Sequence, residues 1–116
     1  MIPPGVRLGT MVKAISAVGG AVTADCGEHG WSVAVLHVTG TFAGHNVSFE
    51  GSVNGKDWFS IQATKTDSNA VQTATGKMNG DPGHAWRVNA SGLSHVRVRC
   101  TQHTSGTANW HIRVGS

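Results

Sequence analysis

Each of the two cysteines in this 116-residue chain is followed three residues later by a histidine: Cys26 in CGEH precedes His29, and Cys100 in CTQH precedes His103. Brought together, the two pairs would supply two thiolates and two imidazoles, the mixture that tetrahedral zinc takes in structural sites. The spacing is not that of a zinc finger, whose cysteines lie close together with the histidines following. With seven histidines in the chain, such pairs also arise by chance. Two other chemistries use the same cysteines. Cys100 alternates with Val96 and Val98 and reads as an ordinary buried thiol, or Cys26 and Cys100 could bridge an early strand to a late one. A chain made in a cytosol weighs against the bridge. Zinc is thus a cofactor that the sequence admits and does not require.

Other reactive arrangements are thin. The acids Asp25, Glu28, Glu50, Asp57, Asp67 and Asp81 fall mostly in expected turns, where their side chains bond the local backbone, rather than as the facing carboxyl pair of a glycosidase. There is no G-x-S-x-G elbow and no phosphate-cradling glycine loop, so the chain reads as non-enzymatic. The four tryptophans divide. Trp86 and Trp110 share the inward register of apolar neighbours and read as core. Trp31 and Trp58 are the candidates for an exposed platform of the kind that stacks on a sugar ring.

These residues need a scaffold, and composition points to sheets. Charged residues make up 13% and glycine takes 16 positions, far from a helical bundle. No stretch sustains apolar residues at helical spacing, whereas period-two runs recur between glycine-rich or polar turns. Strands are expected at residues 11–18, 21–25, 31–38, 46–53, 58–63, 70–75, 84–89, 95–101 and 108–114. The expected fold is an all-β antiparallel β-sandwich of a single domain, residues 11–116, preceded by an irregular arm over residues 1–10. In HAWRVNA, HVRVRCT and ANWHIRV the alternation is strict: Trp86, Val88, Val96, Val98, Cys100, Trp110, Ile112 and Val114 point inward. Arg87, Arg97, Arg99 and Arg113 point outward. If the three strands neighbour one another, these four of the five arginines form one cationic face, either a solvated surface or a docking surface for acidic protein.

Asn54-Gly55 predicts a tight two-residue hairpin turn flanked by Val53 and Trp58. Residues 76–84, with three glycines and Pro82, predict an exposed loop that offers Met78 and Asp81 to a partner. The arm offers Ile2, Val6, Arg7 and Leu8, to be ordered on a neighbour. A net charge of +3 is too small and dispersed for direct nucleic-acid binding. No apolar run is long enough to span a membrane, and the N-terminal residues lack the apolar core of a secretory signal, so synthesis in a cytosol is expected.

Read in order, VTGTFAG-x-VSFEGSVNGKDW, WRVNASGLSHVRVR and SGTANWHIRV resemble a β-sandwich domain of tailed-bacteriophage virion proteins over residues 31–114. A free-standing copy of this length is similar to capsid decoration (cement) proteins. The resemblance implies a part of the virion that binds the major capsid protein on the head exterior, as a homo-oligomer with a trimer favoured. The hairpin EGSVNGKDW also looks like the equivalent element of discoidin-type carbohydrate-binding sandwiches, which implies the alternative of a carbohydrate-binding module on a tail or fibre. Cys26, His29, Cys100 and His103 lie outside both patterns.

Overall fold

The computed structural model describes residues 9–27, 30–80 and 84–115, with side chains from residue 11 onward. The strands are β1 (Gly9–Ile15), β2 (Ala21–Asp25), β3 (Val33–Thr39), β4 (Phe42–Ala43), β5 (Asn46–Ser52), β6 (Phe59–Ser60), β7 (Ala63–Lys65), β8 (Val71–Gln72), β9 (His84–Asn89), β10 (His95–Gln102), β11 (Ser105–Gly106) and β12 (Ala108–Gly115). They form a six-stranded sheet in the order β1-β12-β3-β9-β7-β8 and a four-stranded sheet in the order β2-β10-β5-β6. A short third sheet pairs β11 with β4. All pairings are antiparallel. The fold is therefore the all-β antiparallel sandwich that the alternation predicts.

Alternation builds the core because every second side chain leaves the same face of a strand. From the larger sheet come Leu36, Trp86, Val88, Trp110 and Ile112; from the smaller come Val22, Val47, Phe49, Val96 and Val98, all fully buried. The two large indoles lie together, with ring centroids 5.8 Å apart, and Phe49 packs on Trp86 at 5.4 Å. Both inner faces thus meet in a continuous aromatic and β-branched layer. A buried indole also needs a partner for its N–H. Trp86 Nε1–H donates to Gln72 Oε1 at 2.7 Å, which ties the brief β8 to the centre of the sheet.

Five expectations need correction. The segment 58–63 is not one strand: β6 belongs to the small sheet and β7 to the large one, so the chain changes layers between them. The Asn54-Gly55 turn is wider than a two-residue hairpin, because among these two only Gly55 takes positive φ, at 76°. Its backbone is instead held by side chains: Ser52 Oγ accepts from the Asn54 and Gly55 amides, and Asn54 Oδ1 from those of Lys56 and Asp57. The arm boundary moves, since β1 already begins at Gly9. Met78 is 9% exposed and exchanges two backbone hydrogen bonds with His45, so it closes one end of the sandwich rather than reaching for a partner. Finally, the arginines do not share a face. The strand between the others in sequence, β10, pairs with β2 and β5, which sends Arg97 and Arg99 to the opposite side of the molecule from Arg87 and Arg113.

Candidate functional site

Where β5 begins and β10 ends, three groups that the sequence keeps far apart converge. His45, one residue before β5, is fully buried. A register shift between Cys100 and Gln102 bends the end of β10, and beyond it His103 comes alongside. The β4–β11 pairing and the Met78 bridge cover the three residues from outside. One potential ligand atom from each of His45, Cys100 and His103 lies within 4.8 Å of the others. The closest pair is His45 Nδ1 and His103 Nδ1 at 2.9 Å, with Cys100 Sγ 3.7 Å from His45 Nδ1.

The proton positions follow from one donor. Tryptophan nitrogen can only donate, and Trp110 Nε1–H points at His45 Nε2 at 3.0 Å. His45 Nε2 is therefore unprotonated, and the neutral ring carries its proton on Nδ1. That proton is donated to His103 Nδ1, which leaves the His103 proton on Nε2, where it is donated to the Gly106 carbonyl at 2.8 Å. Cys100 keeps its proton as well: its thiol donates to the Gln102 carbonyl at 3.3 Å, and burial pushes its pKa up. Each buried polar group thereby has a partner. Burial, and secondarily the neighbouring His103, lower the His45 pKa from 6.5 to about 4.

This arrangement overturns the four-ligand zinc set. Cys26 lies beside Ser94, with its amide donating to the Ser94 carbonyl at 2.8 Å, whereas Cys100 lies opposite Val47 at the other end of β10. Six residues of strand separate the two levels, about 20 Å, far beyond the reach of a disulfide or a shared ion. Both cysteines are buried free thiols; His29 lies outside the described residues. What the fold brings together instead is His45, Cys100 and His103, whose ring nitrogens are already committed to hydrogen bonds. Coordination through His45 Nδ1 would move its proton to Nε2, directly against the Trp110 N–H. Treatment with a chelator is accordingly expected to leave the thermal midpoint unchanged, and added zinc not to raise it. A rise accompanied by one zinc per chain in elemental analysis would refute the hydrogen-bond directions deduced above.

The other predicted residues are scattered. Arg97 and Arg99 both donate to Glu50, with the shortest contact 2.7 Å. Burial opposes the charge of Glu50, but the hydrogen bonds and charges of Arg99 and Arg97 outweigh it and hold the carboxyl below its ordinary range. The Arg97 guanidinium also covers the Trp58 ring, 4.0 Å from its centroid, so one face of that platform is already occupied. Trp31 is half-buried and packs on the core while lining an open groove of about 260 Å³ with Val53, Leu93 and Ser94. Arg87 and Arg113 are exposed on the large sheet. Ile2, Val6, Arg7, Leu8 and Asp81 lie outside the described residues. His45 belongs to neither Cys-x-x-His pair. Its signal was its register: it precedes Val47 and Phe49 in steps of two, on the inward side.

No family model matches the chain, and no curated protein matches it in sequence. Among solved structures, it is similar to the SPBc2 prophage-derived protein YomS, with a TM-score of 0.71 and 12% identity over 94% of this chain and 96% of that one. It is also similar to the PBSX exported protein XepA, with a TM-score of 0.70 and 19% identity over 92% of this chain. The chain spans 38% of XepA. At these identities the likeness establishes a common fold.

Proposed function

We propose that the chain is a non-enzymatic phage structural protein that binds the major capsid protein on the head exterior and stabilises the head. The observation that carries this reading is the match, nearly end to end, with a prophage-derived protein of similar extent. The carboxylates of the described residues favour a structural part over an enzyme. Glu50 is held by two arginines, Asp57 accepts from the Asn54 side chain, Asp25 accepts from the Gly27 amide, and Asp67 sits 3.9 Å from Lys65. None converges with another on a pocket. Stabilisation would follow from mass action and multivalency: a homo-oligomer, with a trimer favoured, bridges several subunits, so releasing one requires breaking several modest contacts together.

Purified protein is expected to bind expanded empty heads of its phage and raise their melting temperature. The groove beside Trp31 favours one second reading, a carbohydrate-binding module, because an apolar wall next to glycines admits a sugar ring close to the backbone. Heads that take up no protein while a glycan array gives saturable binding would replace the first reading with the second.

A further inference from the structure

The two outer faces of the sandwich differ in how their charges are balanced. On the small sheet Arg97 and Arg99 are both paired with Glu50, and Asp25 lies 3.8 Å from His95. On the large sheet the register places Arg113, Val35 and Arg87 side by side across β12, β3 and β9, with Thr64 of β7 next in the row. The neighbouring row runs Val12, His111, His37 and Ala85. Arg87, Arg113 and His37 are exposed, and Val12 is 57% exposed. The described carboxylates sit on the small sheet or in loops, and no ion pair or hydrogen bond engages the Arg87 or Arg113 side chain among the described residues.

We infer that this face is the docking surface, and that it takes an acidic protein segment presenting two carboxylates on either side of an apolar side chain. The inference rests on the structural reading above and assigns its contact face. Arg113 and Arg87 stand two strand spacings apart, about 10 Å, with Val35 between them. Each guanidinium can grip a carboxylate with two parallel hydrogen bonds, and the valines supply the apolar contact. Arginine around an apolar centre, with no carboxylate of the described residues on the face, is the composition of a protein interface. A nucleic acid fits less well. Two phosphate contacts would give a salt slope of only about −2 and correspondingly weak binding.

The test is an amide NMR titration at low salt with a blocked Glu-Ser-Val-Ser-Glu peptide and, separately, a 12-base-pair DNA duplex. Peptide-induced shifts are expected on β12, β3 and β9. Binding should weaken at least tenfold in R87E/R113E and substantially in R87Q/R113Q, but little in K56E/K77E, which changes net charge as much as the first variant at exposed positions elsewhere. Equal loss in K56E/K77E would reduce the effect to overall charge. Tighter binding of the duplex to the same residues would make the surface a polyanion site, and shifts confined to β10 and β5 would place it on the wrong sheet. Any of these overturns the assignment. Heads that bind wild type and R87E/R113E equally would remove this face while leaving the capsid reading intact; heads that bind neither, with the peptide result as expected, would remove the capsid reading alone.

Discussion

Replacing His45 by alanine is expected to lower the unfolding free energy by about 3–5 kcal/mol, the range for deleting a large buried ring. Two costs combine. The first is the void left beside Phe42 and Trp110, whose ring centroids lie 5.2 and 6.2 Å from that of the imidazole. The second is the Trp110 N–H, which loses its acceptor in a buried position, a loss of about 1–3 kcal/mol. A domain of this size has about 5–15 kcal/mol of stability in total, so the variant loses a large fraction of it. Urea titration checks this through the midpoint at constant slope. H45F isolates the second cost, because it refills the space without restoring an acceptor. H45F combined with W110F should recover part of the stability, since the orphaned donor is then removed. If H45A costs under about 1 kcal/mol, the ring is not the internal acceptor described here.

Acid should act through the same ring. The His45 pKa is about 4 in the folded chain against an ordinary 6.5, so between those values the unfolded chain binds more protons than the folded one. The contribution is fully present above about pH 6.5, declines as pH falls through 4, and is exhausted below that. A shift of this size corresponds to about 3 kcal/mol. The groups facing the ring are His103, Cys100, Phe42 and Trp110, none of which offers a negative charge to relieve a protonated imidazole. Glu50, whose carboxyl is held below its ordinary 4.5, begins to lose its own contribution as pH falls past that value, in H45Q as in wild type. Urea midpoints measured from pH 7 to pH 4 should therefore fall in wild type. In H45Q the fall should be smaller by the amount that this residue supplies, and parallel curves for the two proteins would refute the mechanism.

Fold and site were not equally legible before the structure was known. The ranges of β2 and β9 coincide with the expected strands, and β10 and β12 extend one residue further, because these strands bury one face along their whole length. Alternation reports which way a side chain points; it carries no information about which sheet a strand joins. That gap explains the arginine face: β9 and β12 flank β3, while β10 lies across the core, and only long-range pairing makes the distinction. It also explains the layer change near Ile61, where the Ile61 amide still bonds Phe49 of the small sheet before the chain crosses. β4 and β11 are two residues each and exist only through their mutual pairing. The cysteine pairs misled for a related reason. A three-residue spacing puts His103 near Cys100 in the chain, but the partner that completes the cluster is 55 residues from Cys100 and arrives by strand register.

The pairing of β1 with β12, from Gly9 opposite Val114 to Ile15 opposite Ala108, bears on how the molecule is made. Among the described residues β12 is the only ladder partner of β1, and it also joins β1 to β3. While a ribosome is still translating the preceding residues, the first strand has nothing to bond and the large sheet has a gap at that position. The large sheet therefore closes only after β12 has emerged, and until then its valine-rich faces are open to non-native association.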